Sequence, residues 1–224
     1  MPNNSLPTHV GIILDGNRRW AKQQGLPSLE GHRRGAETFK QISLHAFEKG
    51  VSCLSAYIFS QENWQRTDEE VGYLMQLVMK AVESYLDEYH KRGIKIVVLG
   101  RREGLRRKVL DAIKHTEEKT KDNAKGILAL CFNYGGQQEI ADAATAVKGE
   151  MSVESLRQAL YEPAVPDLDL VIRTSGEQRL SGFMLWRAAY AELYFTPVMW
   201  PAFTPNDFDA ALDDYASRQR RFGQ

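Results

Sequence analysis

The stretch His9-Val10-Gly11-Ile12-Ile13-Leu14-Asp15-Gly16-Asn17-Arg18-Arg19-Trp20 joins an apolar strand directly to a polar loop. Residues 10–14 are apolar on both faces, as the strands of a helix-covered parallel sheet are. Asp15 supplies a hard oxygen ligand of the kind that Mg²⁺ takes, and the N–H groups after it suit an anion at a helix N-terminus. Arg18 and Arg19 carry planar guanidinium groups that match phosphate oxygens. Taken alone, the stretch is equally consistent with a strand, a turn and an Asp-capped helix.

Strand-like apolar runs alternate with helical patterns along the rest of the chain. This alternation predicts an α/β fold: a central, mostly parallel six-stranded sheet flanked by helices. Strands are predicted at 10–14, 53–59, 95–99, 127–132, 168–172 and 193–195, and helices at 36–49, 68–91, 104–121, 138–148, 153–160 and 205–218. Because no linker divides the chain, residues 9–224 are predicted to form one domain after a flexible N-terminus, residues 1–8.

The overall composition excludes several classes of protein. Lys plus Arg and Asp plus Glu both number 29, so no net charge would draw the 224-residue chain to nucleic acid or to an acidic membrane. The two cysteines, Cys53 and Cys131, lie in apolar runs and are predicted to be buried thiols. No apolar stretch approaches the roughly 20 residues of a membrane span. With a short polar N-terminus, these features predict a cytoplasmic protein.

The helix predicted at 68–91 has an unusually broad apolar face. It begins with a capping-box pattern, Thr67 followed by Glu70. Leu77 and Ala81 widen its apolar stripe beyond the face that a surface helix normally buries. Burial between the sheet and a neighbouring helix explains this width. The alternative is that part of the face lines an apolar cavity.

Polar loops follow two more of the predicted strands. Ser60-Gln61-Glu62-Asn63-Trp64-Gln65-Arg66 comes after the second strand, and Arg173-Thr174-Ser175-Gly176-Glu177-Gln178-Arg179 after the fifth. Ligands of open parallel sheets bind outside the carboxyl ends of the strands, so these loops are expected to share one edge with the Asp15 loop. Four arginines in them suit two diphosphate groups beside one divalent metal: Arg19, Arg66, Arg173 and Arg179. Each loop alone is also consistent with ordinary surface polarity.

The known nucleotide-binding motifs are missing from the sequence. It has no G-x-x-x-x-G-K-[ST] loop and no G-x-G-x-x-G after a predicted strand. These absences argue against a P-loop nucleotide enzyme and against a dinucleotide-binding fold.

Five segments together resemble the cis-prenyltransferases, in the order and spacing of that family. They are residues 9–21, Gly31-His32, Phe59-Ser60-Gln61-Glu62-Asn63-Trp64, residues 169–179, and Ala189-Tyr190-Ala191-Glu192-Leu193-Tyr194-Phe195. The resemblance covers nearly the whole chain and makes residues 9–224 a cis-prenyltransferase catalytic domain. It implies an enzyme that condenses isopentenyl diphosphate with an allylic diphosphate, such as farnesyl or geranyl diphosphate. The product would be a Z-polyprenyl diphosphate, released together with diphosphate.

The resemblance also assigns roles to individual residues. Asp15 would lie at Mg²⁺ and drive the departure of the allylic diphosphate, and Glu192 would complete the metal site. Asn63 is the family's proposed proton acceptor, but a neutral amide is a weak base, so it would alternatively position substrate while diphosphate takes the proton. The substrate-binding residues would be Gly16, Asn17, Arg18, Arg19, Trp20, His32, Ser60, Gln61, Glu62, Trp64, Arg66, Arg173, Arg179, Leu180 and Ser181.

The family further implies a homodimer and an apolar tunnel for the growing chain. The tail Arg221-Phe222-Gly223 looks like an R-x-G element that reaches the partner's active site. The tunnel would open at the carboxyl edge of the strands, with walls from residues 53–59, 68–91 and 95–99, and product release would involve transient membrane contact. Two departures from the family are Ser28, where many members carry a cation, and Gln178, where some carry histidine.

Other interpretations stay open on the sequence. The chain would alternatively be a non-catalytic subunit of a prenyltransferase heteromer, although the intact Asp15 loop argues against that. It would otherwise be an unrelated phosphate-binding module, which needs no broad apolar helix. Trp20 and Trp64 are individually consistent with core aromatic residues, and His32 with a structural histidine. Glu192 would alternatively pair with Arg187.

Overall fold

A parallel sheet covered by helices makes up the fold. The structure is a computed structural model that describes residues 6–218. The strands are β1 (His9–Ile13), β2 (Cys53–Ser60), β3 (Ile94–Leu99), β4 (Gly126–Tyr134), β5 (Leu170–Arg173) and β6 (Glu192–Phe195). The helices are α1 (Asn17–Gln23), α2 (Ser28–Glu48), α3 (Asp68–Lys91), α4 (Arg107–Thr120), α5 (Gly136–Ala146), α6 (Val153–Ala159) and α7 (Pro205–Ser217). Short 3₁₀ helices span Gln61–Gln65 and Trp200–Ala202.

The strand order places β1 near the centre of the sheet. The six strands are all parallel and lie in the order β3-β4-β2-β1-β5-β6. Ile13, the last residue of β1, pairs with Tyr57 of β2 and with Arg173 of β5. The chain therefore leaves β1 to build one side of the sheet and returns to build the other. Such a switch point is where open α/β sheets bind ligands.

Most strand side chains alternate between two apolar cores, one on each face of the sheet, and a third, smaller cluster forms near the ends of β2 and β4. Ile12 and Leu54 point into a core that contains α2, α3 and α7 residues, including the fully buried Phe208. Ile13 and Cys53 point into a second core built with Phe183 from the segment before β6. Both cores exclude water from the strands, which explains why the strands are apolar on both faces.

The predicted α/β fold and its six strands are confirmed. Every predicted strand overlaps an observed one, and the capped helix matches α3 from Asp68 to Lys91. Both cysteines are buried, as predicted, and burial raises the pKa of Cys53 to about 12. Across residues 6–218, no helix is both long enough and apolar enough to cross a lipid bilayer.

The sequence prediction is wrong at the start of the chain's second helix. Helix α2 begins at Ser28 rather than at residue 36, and the helix anticipated after the Asp15 turn is α1, whose N-cap is Gly16 rather than an aspartate. The missed turns of α2 contain Gly31 and Gly35, which carry no apolar stripe and weaken the helical pattern. Of the predicted flexible segment 1–8, Met1–Ser5 lie outside the described residues, whereas the backbone N–H of Thr8 donates to Asp169 at 2.8 Å.

Candidate active site

Asp15 follows β1 and is fixed by both its backbone and its side chain. Its backbone N–H donates to Thr174 Oγ1 at 3.0 Å, and Thr174 Oγ1 donates back to its carbonyl oxygen at 2.7 Å. The Gly16 N–H donates to Asp15 Oδ1 at 2.7 Å. Gly16 has a φ of 102°, and an added Cβ would lie 2.8 Å from Ser175 Oγ. A glycine is therefore required for the turn that presents the carboxylate, whose side chain is 29% exposed.

Arg173 contacts Asp15 from the end of the neighbouring strand β5. Its guanidinium Nη2 lies 3.0 Å from Asp15 Oδ2, and the side chain is only 5% exposed. Its Nη1 donates to Ser181 Oγ at 2.8 Å and to the Arg179 carbonyl oxygen. A buried arginine held in this way presents a fixed positive charge beside the carboxylate. Leu180, between those two partners, packs half-buried against the second core.

A small pocket of about 150 Å³ joins this pair to the loop after β2. Its lining includes Asp15, Arg173, Ser60, Asn63 and Tyr57. Asn63 Oδ1 accepts a hydrogen bond from the Ser60 N–H at 3.1 Å, which caps the 3₁₀ helix. The side-chain oxygen of Asn63 is therefore already engaged. Burial raises the pKa of Tyr57, which keeps its phenol protonated at neutral pH.

A larger cleft of about 780 Å³ opens on the other side of Asp15. Its lining includes Asp15 and Ser28 together with six of the predicted substrate-binding residues: Gly16, Asn17, Arg18, Arg19, His32 and Arg66. Burial and the nearby Arg66 charge lower the pKa of His32. His32 is therefore neutral at pH 7 in the ligand-free chain, so the positive charge of the cleft comes from its arginines and from Lys22.

A carboxylate and two arginines close the rim of this cleft. Arg19 lies 3.1 Å from Glu177 Oε1, and Arg179 lies 2.6 Å from Glu177 Oε2. The hydrogen bond from Arg179 lowers the pKa of Glu177. Because these side chains are 31–60% exposed, the contacts can exchange for contacts to a bound anion at little cost.

Asn17 is held in the cleft by a glycine seam on α2, formed by Gly31 and Gly35. A Cβ at Gly31 would lie 2.0 Å from the Asn17 carbonyl oxygen, and one at Gly35 would lie 2.2 Å from Asn17 Oδ1. Asn17 Nδ2 donates to the Leu14 carbonyl oxygen at 3.1 Å. The two glycines thus allow α1 and α2 to approach closely enough to orient this amide.

Buried polar atoms without a hydrogen-bond partner concentrate around Asp15. Within residues 6–218, the buried side-chain nitrogen and oxygen atoms without a hydrogen-bond partner are Asn17 Oδ1, His32 Nε2, Arg173 Nε and Ser175 Oγ. All four residues lie in or directly beside the loops that surround Asp15. Buried polar atoms are normally hydrogen-bonded, so this concentration indicates a site prepared for a polar ligand.

An apolar cavity of about 140 Å³ begins at the inner side of the cleft. The two spaces share Leu14, Asn17 and His32. The cavity runs between α2 and α3 over the sheet, and its lining includes Phe39, Ile58, Leu74, Leu77, Val78, Ala81, Val82, Tyr85, Leu86, Tyr89, Ile96 and Leu128. The broad face of α3 therefore lines a cavity, as one of the two interpretations held. The contribution of α2 was not predicted.

The structure does not bring Glu192 to Asp15. Glu192 begins β6 and pairs with Leu170, whereas Arg173, beside Asp15, pairs with Phe195. Along the strands, Glu192 therefore lies three residues, or about 10 Å, before the position of Arg173. Glu192 Oε2 instead lies 2.8 Å from Arg218 Nη1. Within the one chain described, Asp15 and Glu192 therefore do not meet, and Glu192 contacts Arg218 rather than Arg187.

The remaining predicted site residues lie at the border of the site. Gln61 and Glu62 occupy the 3₁₀ helix after β2, and Glu62 is exposed. Trp64 is 41% exposed, and its Nε1 donates to Asn133 Oδ1 at 2.8 Å. Trp20 is half-buried on α1. The tail Arg221-Phe222-Gly223 lies outside the described residues.

Sequence reasoning missed two residues of the site. Thr174 holds the Asp15 backbone, but a threonine after a strand carries no distinctive signal. Glu70 was read only as a capping-box residue. Thr67 does cap α3 by accepting from the Glu70 N–H at 3.3 Å, but the Glu70 carboxylate points to the cleft, where Arg66 Nη1 lies 2.8 Å away. The available signal was the spacing of Glu70 four residues after Arg66, a predicted substrate-binding cation.

Metal binding at Asp15 is consistent with the donors present. Among residues 6–218, no three His, Cys, Asp or Glu side chains cluster as a metal site. Mg²⁺ commonly binds one or two carboxylates together with substrate phosphates rather than an all-protein cage. A single half-exposed carboxylate beside an anion cleft fits that pattern.

The known proteins similar to this chain are isoprenyl transferases and polyprenyl diphosphate synthases. A family model described as "Putative undecaprenyl diphosphate synthase" matches residues 13–223. The chain is 46% identical over 226 residues to an isoprenyl transferase of Thermotoga maritima, covering 97% of both proteins. It is 41% identical over 232 residues to a ditrans,polycis-undecaprenyl-diphosphate synthase ((2E,6E)-farnesyl-diphosphate specific) of Legionella pneumophila, covering 99% of this chain and 98% of that one.

Solved structures agree with these relatives. Lavandulyl diphosphate synthase from Lavandula x intermedia, in complex with dimethylallyl diphosphate, superposes with a TM-score of 0.93 at 32% identity, covering 98% of this chain and 99% of that one. A probable undecaprenyl diphosphate synthase from Campylobacter jejuni superposes with a TM-score of 0.84 at 31% identity, covering 99% and 100%.

Proposed function

The chain belongs to the undecaprenyl diphosphate synthase family of prenyltransferases, and from this we propose that it condenses isopentenyl diphosphate with an allylic diphosphate. The product is a Z-polyprenyl diphosphate, and diphosphate is released. The observation that carries the proposal is the junction of an arginine-lined cleft, which contains Asp15, with an apolar cavity that shares Leu14, Asn17 and His32 with it. A substrate with a diphosphate head and an isoprenoid tail requires this combination.

The allylic substrate binds with its head in the cleft and its tail in the cavity. Arg18, Arg19 and Arg66 neutralise the diphosphate, and Asn17 and His32 contribute the polar atoms that lack partners in the ligand-free chain. The apolar walls exclude water from the allylic cation that develops as the diphosphate leaves.

Isopentenyl diphosphate binds on the β5 side of Asp15. Arg173, Arg179 and Ser181 surround this position, and the half-exposed guanidinium of Arg179 is free to turn from Glu177 to a phosphate. The two substrates then meet beside Asp15, with their reacting carbons over the small pocket that holds Asn63. Holding both reactants in this way supplies much of the rate enhancement of a two-substrate reaction.

We assign Asn63 a positioning role. Its Oδ1 already accepts from the Ser60 N–H, and an amide is too weak a base to take a proton from carbon unaided. The diphosphate that leaves is the stronger base near the reacting carbons, and it is the proposed proton acceptor.

Mg²⁺ is the proposed cofactor, and Asp15 is the residue that would hold it. When bound, the metal neutralises charge on the departing diphosphate. Asp15 keeps its carboxylate oriented through the Gly16 N–H and the Arg173 guanidinium. The arginines of the cleft supply the rest of the neutralising charge at fixed positions, which lowers the barrier to departure.

Further proposals concern the assembly and the location of the enzyme. On the resemblance of the Arg221-Phe222-Gly223 tail to the family's element, we propose a homodimer in which the tail serves the partner's site. We also propose a cytoplasmic enzyme that contacts membranes transiently to release its product. Sedimentation of the full chain tests the dimer. The activity of a chain truncated before Arg221 tests what the tail contributes to turnover.

A direct assay tests the reaction. Purified chain, radiolabelled isopentenyl diphosphate and farnesyl or geranyl diphosphate are expected to give polyprenyl diphosphate with Mg²⁺, and EDTA is expected to reduce incorporation by about a hundredfold or more. No product with any primer length would overturn the proposed reaction and favour a non-catalytic subunit of a heteromer. Full incorporation in EDTA would overturn the metal assignment alone.

The cavity predicts how substitutions shift product length. Helix α3 rises about 1.5 Å per residue, so Ala81 lies roughly 16 Å and Tyr89 roughly 28 Å from Glu70 at the cleft. Ala81→Leu fills the cavity midway and is expected to shorten the product by about one isoprene unit or more, whereas Tyr85→Ala deepens the cavity and is expected to lengthen it. Chromatographic sizing measures both shifts.

A matched control for these variants lies on α3 outside the cavity lining. Ser84 is exposed, so Ser84→Leu adds bulk outside the cavity and is expected to leave product length unchanged. Identical product distributions for Ala81→Leu, Tyr85→Ala and Ser84→Leu would show that the cavity does not hold the growing chain.

A further inference from the structure

One carboxylate contacts three cationic or titratable side chains of the cleft at once. Arg66 Nη1 lies 2.8 Å from Glu70 Oε1, His32 Nε2 lies 3.5 Å from the same oxygen, and Arg18 Nη1 lies 3.8 Å from Glu70 Oε2. These partners come from α1, from α2 and from the loop before α3. All three line the cleft assigned to the allylic diphosphate.

The burial of Glu70 makes these contacts stronger than ordinary surface ion pairs. Its side chain is 13% exposed, and those of His32 and Arg66 are 10% and 28% exposed. Charges that water reaches poorly interact more strongly than surface charges and are screened less by salt. Arg18, at 60% exposure, is the most mobile partner and the first that an incoming anion can reach.

A carboxylate in this position has two opposing effects on a diphosphate. It gathers guanidinium groups from separate elements, which keeps them from spreading apart by mutual repulsion. It also competes for them, because every hydrogen bond given to Glu70 is one that a phosphate oxygen must replace. A diphosphate carries more charge than a carboxylate and has more acceptor atoms, so it wins this competition when present.

We propose that Glu70 is the resident counter-anion of the allylic diphosphate cleft, a positioning residue that holds Arg18 and Arg66 together beside His32 and yields the two arginines to the diphosphate. This inference deepens the proposed function and rests on it for the identity of the anion. Glu70 limits how tightly the cleft retains the leaving diphosphate. Its carboxylate re-forms the pairs as that product departs, which returns the cleft to its ligand-free state.

The test is the affinity for inorganic diphosphate, measured by calorimetry on the whole chain at about 0.15 M salt. Glu70→Gln keeps the shape of the side chain and removes the competing charge, so affinity is expected to rise about tenfold, a change worth about 1.4 kcal/mol. In turnover assays, the same variant is expected to be inhibited about tenfold more strongly by added diphosphate.

Two further variants separate this role from general charge and folding effects. Glu69→Gln makes the same charge change one residue away on the exposed side of α3, and its affinity is expected to stay within about twofold of the parent chain. Glu70→Asp keeps the competing charge and is expected to bind diphosphate much as the parent does. Thermal melts establish that all three variants are folded.

The outcomes distinguish this inference from the proposed function. If the parent chain binds no diphosphate, the cleft assignment in the proposed function fails. If the parent binds but Glu70→Gln binds equally or more weakly, Glu70 only scaffolds the arginines and the counter-anion role is overturned. Equal gains for Glu69→Gln and Glu70→Gln would attribute the effect to net charge and overturn it as well.

Discussion

Asp15→Asn is expected to reduce turnover on the order of a thousandfold while leaving the fold intact, because it removes charge where the reaction needs it and changes little else. The asparagine oxygen can still accept from the Gly16 N–H, and the Thr174 bonds involve only the backbone. What is lost is the anionic ligand for Mg²⁺ and the partner of the buried Arg173. Steady-state rates with saturating substrates and Mg²⁺ measure the effect.

Binding measurements refine this expectation. The cleft arginines are unchanged in Asp15→Asn and one carboxylate that competes for them is removed, so diphosphate affinity without metal is expected to be maintained or to rise, and the loss is expected in kcat rather than in KM. Asp111→Asn is the control, because Asp111 forms an exposed pair with Arg107, and neither residue lines the cleft, the small pocket or the cavity. Turnover of Asp15→Asn within tenfold of the parent would remove Asp15 from its assigned role.

Arg187→Met is expected to destabilise the chain by about 3–5 kcal/mol, the typical cost of leaving a buried charge without its partner. Arg187 Nη1 lies 2.7 Å from Glu139 Oε1, and the two side chains are 2% and 0% exposed. Arg187 also donates to the carbonyl oxygens of Val165, Tyr161 and Glu162. Urea denaturation, read from the midpoint at constant m-value, measures the loss.

A paired variant tests whether unpaired charge is the cause. Arg187→Met combined with Glu139→Gln removes both charges and is expected to be more stable than Arg187→Met alone. Arg107→Met breaks the exposed pair with Asp111 and is expected to cost less than about 1 kcal/mol. A loss for Arg187→Met as small as that for Arg107→Met would contradict the expectation.

Much of the site was predictable because it depends on where strands end. The loops containing Asp15, Asn63 and Arg173 each follow a strand that local apolarity reveals, and parallel strands place their carboxyl ends at one edge. The same rule explains the position of Glu192 within the chain. It begins its strand, and the register of β6 on β5 then places it about 10 Å from that edge.

Contacts between distant segments were beyond prediction from one sequence. Glu139 and Arg187 are 48 residues apart, and neither carries a local pattern that names the other. The cavity wall formed by α2 was missed although its residues Ala36 and Phe39 lie in the part predicted as helix, because one sequence does not show which helix faces which. Side-chain direction was also undetermined for Glu70, whose capping-box position hid its contact with the cleft.

The close approach of α1 and α2 at Gly31 and Gly35 has a consequence for how this chain tolerates sequence drift. Neither glycine has a side chain to offer a substrate, yet any Cβ there would meet Asn17 at 2.0–2.2 Å. Saturation mutagenesis scored by growth or activity would therefore mark positions 31 and 35 as intolerant alongside Asp15. A map of intolerant positions would therefore include Gly31 and Gly35 of α2 in the apparent active site, although neither offers a side chain to the substrate.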